Sequence, residues 1–314
     1  MQAVVIEEFG GPEKLRVTDV AEPVPGEGQI RVAVKAAGTN PVDAQIRADG
    51  GEAGLTVPFI PGYDIAGVVE STGPGVAGLA AGDRVMAMTH FPDGAGGYAE
   101  LAVLDAGQAA RIGPQTSFPE AAAAPLAAGT ALEVLARLAL PRGARLLVLG
   151  ASGGVGLFLL QLAATGGIEP IAVGRGAMHG LMRSLGAAGC IDYTTEDVTE
   201  QAIRLAGGQV DAVADLVGGT LLAHTLGALR PRGQIAAIAT PELDLDPVLD
   251  FNISFHGVLI GDDGQRTRRL ASLLAQGALR PVVSHLLPLP EAAAAHRILD
   301  GKHAGGKVVL TVGS

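Results

Sequence analysis

From residue 1 to about 115 the chain alternates apolar and polar positions in short runs: QAVVI, LRVTDV, QIRVAVKAAG, IAGVVESTG, DRVMAM and YAELAVL. A period of two marks strands with one buried face. The pairs Gly10-Gly11, Pro25-Gly26, Pro61-Gly62 and Gly82-Asp83 fall between runs, where the chain must turn. This part predicts a β-rich module. After Phe118-Pro119 an alanine-rich helical stretch (EAAAAPLAAGTALEVLARL) begins, alanine being the best helix former. Short apolar runs then alternate with helix-period segments: LLVLG with LFLLQLAATGG, IAVG with MHGLMRSLG, CIDY with EDVTEQAIRLAGG, VDAVADLVGG with TLLAHTLGAL, and QIAAIAT. Strands apolar on both faces alternating with helices predict an α/β fold with a doubly wound parallel sheet. The run from Phe251 to Ile260 reads as a late strand at a sheet edge. A charged helix (QRTRRLASLLAQG) and a final strand, helix and strand (HLLPLP, EAAAAHRILDG, KVVLTVG) close the chain.

Composition narrows the classes. A chain of 314 residues can bury about three quarters of its unfolded surface, so a full core needs no staples and two domains are expected. Its single cysteine, Cys190, excludes an internal disulfide and any multi-cysteine metal site, which fits a reducing cytoplasm. Lys and Arg number 22 against 32 Asp and Glu, a net charge of −10 without a basic run, which argues against a nucleic-acid partner. Glu7 and Glu8 interrupt the N-terminal apolar residues too early for a signal peptide. Leu146 to Ile168 carries no charge and is long enough to cross a bilayer, but Gly150, Gly153, Gly154 and Gly156 split it into strand, turn and helix, so no membrane association is expected. With 46 glycines, about twice the usual share, the chain needs a positional reason for them.

One such reason lies in Leu146–Gly156. After a strand and before a helix, Ala151, Gly153 and Gly156 stand in the three small positions of a dinucleotide fingerprint. The first permits a tight turn, Gly153 lets backbone approach a pyrophosphate, and Gly156 lets helix and strand pack closely, with the phosphates on the amides of Gly154 and Val155. The same residues spell Gly150-x-Ser152-x-Gly154, the pattern of a hydrolase nucleophile elbow, with Asp215 and then His256 or His285 in the right chain order. About 115 helix-poor residues precede the motif, and no HGGG-like oxyanion loop is present, so the hydrolase reading is the weaker one. At the end of the next strand, where an NAD site offers Asp or Glu to the ribose, the chain has Gly174-Arg175. An arginine there pairs with a 2′-phosphate, and the expected cofactor is NADP(H).

Across both halves the chain resembles the zinc-independent quinone oxidoreductases (zeta-crystallin-like) of the medium-chain dehydrogenase/reductase superfamily. The matching stretches are AAGTNPVDAQIR ending at Arg47, PFIPGYDIAGVVESTGPGV (58–76), AAGDRV (80–85), GGYAELAVL (96–104), PLAAGTALEVL (125–135), GASGGVG (150–156), LGAAGCIDY (185–193), VDAVADLVGG (210–219) and HAGGKVVL (303–310). The resemblance implies a GroES-like catalytic domain of residues 1–115 and 279–314, a Rossmann NADP-binding domain of residues 116–278, and an active site in the cleft between them. It implies that Asn40 lines the substrate pocket and that Thr130 contacts the nicotinamide end of the cofactor. It sets Arg175 and Tyr193 beside the 2′-phosphate, Val217 and Gly218 near the nicotinamide ribose, and Lys307 on the cofactor side. Zinc-dependent relatives carry a cysteine and a Gly-His-Glu motif where this chain has Asn40 and Gly62-Tyr63-Asp64, so no metal is expected. Many quinone-reductase relatives also place a tyrosine shortly after the NPxD motif, where this chain reads Ala48-Asp49-Gly50-Gly51.

The implied reaction is hydride transfer from NADPH to a quinone, which asks the protein mainly for orientation. Asn40 is positioned to hydrogen-bond a substrate carbonyl, with a turn-forming role before Pro41 as its plain alternative. Tyr63 is a second candidate donor, or a packed ring. His90 reads as a loop histidine and Cys190 as an inert buried thiol. Reduction of activated C=C bonds in enals or enones is the close alternative, and a non-catalytic NADPH-binding protein the remote one. An apolar sheet edge near 251–260 needs covering, and a homodimer through it is expected.

Overall fold

The structure is a computed structural model that describes residues 1–50, 54–91, 96–301 and 304–313. Gly51 of the stretch after the NPxD motif, His303, and residues 92–95 of the loop after His90 lie outside the described residues. The chain divides into two compact units, Met1–Gly129 with Gly261–Ser314, and Thr130–Ile260.

In the first unit β1 (Gln2–Ile6) and β2 (Leu15–Asp19) form an antiparallel ribbon. The long β3 (Gln29–Gly38) leads through Thr39 and Asn40 into α1 (Pro41–Asp49). Then come β4 (Asp64–Thr72), β5 (Arg84–Met88), β6 (Leu101–Asp105), the short β7 (Ala110–Arg111) and α2 (Phe118–Ala122). Helix α3 (Pro125–Leu138) starts in this unit and continues into the second. The alanine-rich stretch expected as one helix is therefore two. Pro125 lacks an N–H to continue α2 and instead opens α3.

The second unit holds β8 (Arg145–Leu149), α4 (Gly154–Thr165), β9 (Glu169–Val173), α5 (His179–Ser184), β10 (Gly189–Ile191) and α6 (Val198–Ala206). After these come β11 (Val210–Asp215), α7 (Leu221–Thr225), β12 (Leu229–Ala237), α8 (Asp246–Asp250) and β13 (Ser254–Gly257). All six strands are parallel, in the order β10-β9-β8-β11-β12-β13. Counted from β8 this is 3-2-1-4-5-6, the Rossmann order. The expected edge strand over 251–260 is at the edge but only four residues long, because the chain turns through Asn252 (φ 52°) just before it.

Back in the first unit, α9 (Gly264–Ala275), β14 (Val283–Pro288), α10 (Ala292–Asp300) and β15 (Lys307–Thr311) complete a seven-stranded sheet ordered β14-β15-β3-β4-β5-β7, with β6 also on β3. Ile30, Val32, Val34, Ile65, Val85, Leu104 and Leu310 fill its core. The compact units divide at 129/130 and 260/261, not at 115/116 and 278/279 as expected from the sequence. Helices α2 and α9 account for the difference: α2 packs on β3 and β4, and α9 on β5 and β7. A Cβ at Gly38 would lie 2.1 Å from the Ala122 carbonyl oxygen, so the bare glycine lets α2 close onto β3. No helix among the described residues is long and apolar enough to cross a membrane, and Leu146–Ile168 is β8, a turn and α4.

Candidate functional site

In the second unit the strand order reverses between β8 and β11, and ligands of such sheets bind outside the carboxyl ends of the strands at that reversal. Leu149 pairs with Val173 on one side and Asp215 on the other, so β8, β9 and β11 end together. Ten of the residues singled out from the sequence follow these ends and that of β10. Gly150 takes a left-handed turn (φ 77°), Ala151 is fully buried with its amide on the Val173 carbonyl (3.0 Å), and Gly153 caps α4, whose first residues are Gly154, Val155 and Gly156. A Cβ at Gly156 would lie 2.6 Å from the Ala151 backbone, which is the close packing expected of that position. The amides at the start of α4 have no partner within the helix, and its dipole favours negative charge there.

Gly174 follows β9, its amide donating to the Ile191 carbonyl (3.0 Å). Arg175 donates Nε–H to the Tyr193 hydroxyl at 3.2 Å, so these two are brought together as expected. Asp192 beside them is turned onto backbone and loop: it accepts from the Gly176 amide (2.8 Å) and from Thr194 (N, 3.0 Å; Oγ1, 2.6 Å). Beyond β11 the amides of Val217 and Gly218 both donate to Asp215 Oδ1 at 3.0 Å, while Asp215 Oδ2 is buried without a partner. Asp215 thus anchors this loop; of the two histidines the hydrolase alternative offered, His256 lies 3.2 Å from Gln234 on the neighbouring strand, and His285 is on β14 in the other unit with Nδ1 3.1 Å from Ser284 Oγ. Thr130 is on α3, with 6% exposure. The residues at these ends fit a dinucleotide: a glycine turn that Cβ atoms would fill, free amides, and an arginine paired with a tyrosine.

The first unit contains what the sequence reading did not anticipate, a connected set of buried polar side chains. Asn40 caps α1, and its backbone N–H donates to Asp43 Oδ2 (2.7 Å) in a capping box. Its side-chain Nδ2 donates to Asp64 Oδ2 (3.0 Å), and its Oδ1 accepts from Lys307 Nζ at 2.5 Å. Lys307 donates further to the Thr39 carbonyl (2.7 Å) and to Asp64 Oδ2 (3.4 Å). Asp64 Oδ1 accepts from the Leu126 amide in the first turn of α3 (2.8 Å). Burial pushes Asp64 up and Lys307 down, each toward its neutral form, and their attraction opposes both. Three donations by Lys307 require an ammonium, and three acceptances by Asp64 suit a carboxylate, so the pair is ionic.

A second arm runs from Asp43. The Tyr98 hydroxyl lies 3.3 Å from Asp43 Oδ2 and 3.3 Å from His296 Nε2. His296 Nδ1 faces Arg47 Nη1 at 3.2 Å, and Arg47 Nη2 reaches Asp300 at 3.1 Å. Arginine only donates, so His296 Nδ1 accepts, its proton is on Nε2, and the chain runs Arg47 to His296 to Tyr98 to Asp43. Burial holds His296 down at about 3, with the Arg47 charge adding to it, and burial raises Asp43 to about 7. Tyr63 is 1% exposed with its ring edge-on to Phe91 (4.9 Å between centroids), the packed arrangement. His90 lies 3.8 Å from Asp262, and Cys190 is buried, its pKa raised by burial.

Asp43, Asp64, Tyr98 and His296 were not singled out as site residues. Their signal is polarity in an apolar context: Asp64 opens the run IAGVV, and His296 interrupts an alanine helix. Among the described residues no group of three or more His, Cys, Asp or Glu is placed to hold a metal ion.

A Rossmann sheet in one unit and a β-rich sheet with a buried polar cluster in the other are the two parts of the medium-chain dehydrogenase/reductase architecture. An alcohol dehydrogenase GroES-like domain family matches residues 26–114, and a zinc-binding dehydrogenase family matches residues 185–310. The chain is 31% identical to a quinone oxidoreductase of Lama guanicoe over 99% of this chain and 97% of the relative. It is 32% identical to the chloroplastic NADPH-dependent alkenal/one oxidoreductase of Arabidopsis thaliana over 99% of this chain and 79% of the relative. Among solved structures it is similar to an NAD-dependent alcohol dehydrogenase (TM-score 0.94, 32% identity, all of both chains). It is similar also to the Escherichia coli quinone oxidoreductase complexed with NADPH (TM-score 0.89, 27% identity, 99% of this chain and 100% of that one). The chain belongs to the zeta-crystallin-like quinone oxidoreductase family of that superfamily.

Proposed function

We propose that this enzyme is an NADPH-dependent, zinc-independent reductase of quinone-type acceptors that works as a homodimer. The observation that carries the cofactor choice is the end of β9, where Arg175 pairs with Tyr193 (3.2 Å) and a 2′-phosphate would meet a cation and a hydroxyl. The amides of Gly154 and Val155 would hold the pyrophosphate, with Ala151, Gly153 and Gly156 leaving room for it and Gly174 beside the adenosine end. Val217 and Gly218 would flank the nicotinamide ribose and Thr130 the ring. When bound, NADPH supplies a hydride. Asn40 supplies an N–H to the acceptor oxygen, and solvent water the remaining proton. Lys307, whose three N–H groups are all engaged beneath Asn40, supports that residue in place of the cofactor contact expected from the sequence. The zinc-independent reading rests on the donor set: Asn40 and Asp64 turn oxygens to an ammonium, and Tyr63 is packed on Phe91.

The alkenal/one relative favours a second reading, reduction of the C=C bond of an enal or enone. NADPH oxidation measured against benzoquinones, naphthoquinones and 2-enals separates the two. The resemblance to an NAD-dependent alcohol dehydrogenase makes cofactor choice worth measuring directly. Arg175→Ala should raise the KM for NADPH about tenfold, the loss of one charge-assisted contact, and leave that for NADH unchanged. An unaltered NADPH to NADH ratio would remove Arg175 from the assignment.

A further inference from the structure

An asparagine amide can face either way, and which way decides whether it offers a substrate a donor or an acceptor. In this chain the surroundings decide. Lys307 has only hydrogens to offer, so the atom of Asn40 facing it is Oδ1; Asp64, as a carboxylate, has only lone pairs, so the atom facing it is Nδ2. Both partners are themselves held, Lys307 by the Thr39 carbonyl and Asp64 by the Leu126 amide. Nδ2 carries two hydrogens. One goes to Asp64, and among the described residues the other has no acceptor. Asn40 is 2% exposed, and leaving a buried donor without a partner is unfavourable, so the second N–H is a position that a ligand oxygen would satisfy.

We infer that Lys307 and Asp64 are positioning residues that lock the Asn40 amide with its free N–H toward the acceptor, making Asn40 a dedicated donor to a carbonyl oxygen. This rests on Asn40 being the substrate contact proposed above. The ammonium on Oδ1 also draws electron density from the amide and strengthens the N–H as a donor. As hydride and its electron pair reach the acceptor, negative charge grows on the oxygen facing Asn40 Nδ2, and the oxygen then takes a proton from water. A donor held before the reaction acts on that growing charge without reorganising. The substrate class follows: an acceptor whose reducible system ends in a carbonyl oxygen, as in quinones and enones, and not an isolated alkene.

The test uses the full-length enzyme. Lys307→Met with Asp64→Asn removes both charges together, so neither is left buried alone, and the pair is made in the native background and in Asn40→Ala. With Asn40 present the pair should lower kcat for a benzoquinone about 30-fold with little change in KM, Asn40→Ala alone about 100-fold, and the pair added to Asn40→Ala under twofold. Lys307→Arg, which keeps a donor-only cation, should retain more activity than the neutral pair. Equal losses from the pair in both backgrounds would overturn the proposal, since Lys307 and Asp64 would then act on something other than Asn40. NADPH titration by fluorescence, expected unchanged in every variant, separates this from the underlying reading. Native enzyme that binds NADPH but reduces neither quinone nor enal would refute the proposed function, and full activity in Asn40→Ala would refute Asn40 as the contact. If the neutral pair does not fold, Asn40→Asp decides: it keeps the shape and replaces the free N–H with an acceptor, and wild-type kcat there overturns the proposal.

Discussion

At the scale of single residues the buried polar cluster makes stability depend on pH. Asp43 is raised from 3.8 to about 7, and His296 is lowered from 6.5 to about 3, both by burial. The signs oppose. Below pH 3.8 Asp43 is protonated in both states; as pH rises through about 7 the unfolded carboxyl ionises first, so its contribution to stability is lost on going up. For His296 the contribution is full above pH 6.5 and lost as pH falls toward about 3, because the unfolded imidazole takes up a proton that the folded one refuses. Each is worth on the order of 4 kcal/mol when fully expressed, and between pH 4 and 6.5 they offset one another. Asp43→Asn should therefore steepen the acid loss of unfolding free energy over that range, and His296→Gln should reverse its direction; parallel urea-midpoint profiles in all three proteins would disprove the account. None of this was legible from the chain, where Asp43 reads as part of NPVD and His296 as one polar position in a helix. The partners are 55 to 249 residues apart, and only the closed sheet brings them together.

At the scale of elements, most of the fold could be read because each element needs its own local pattern. Four of the five βα alternations, the glycine turn and the edge position of β13 follow from runs of apolar residues and the breaks between them, whereas the short α8 was not expected. What could not be read is which sheet a helix packs on. Nothing in the sequences of α2 (FPEAA) and α9 (GQRTRRLASLLA) names the sheet they cover, and only their contacts assign them to the first unit. Within α4 a single atom decides the packing. Gly156→Ala would place its Cβ 2.6 Å from the backbone of Ala151, where no side chain can yield, so α4 must lift from the end of β8. The cost is expected at about 1–3 kcal/mol, the range for an overpacked position. The same shift displaces the amides of Gly154 and Val155, so the Tm of the free protein should fall and the Kd for NADPH rise together. A lower Tm with unchanged NADPH affinity would detach the glycine turn from the cofactor.

At the scale of the whole molecule, the sheet of the second unit ends in an exposed apolar edge strand. Among the described residues strand β13 is paired only with β12, and around it Leu245, Leu249, Phe251, Phe255 and Leu259 are 40–74% exposed. Large apolar side chains scattered singly need no explanation, but five within fifteen residues beside an open strand edge make a template for pairing. Antiparallel addition of the same strand from a second copy satisfies both demands: the unpaired amides and carbonyls of β13 find partners, and the two phenylalanines and three leucines leave water. A two-fold interface of this kind doubles any gain or loss, because each substitution enters it twice. Light scattering at micromolar concentration should give twice the 31.5 kDa of one chain. Phe255→Lys and Leu259→Lys together put two charges per copy into that contact and should return the mass to one chain while circular dichroism stays native. A native protein of single-chain mass would rule the dimer out, and a dimer that survives both lysines would place its interface elsewhere.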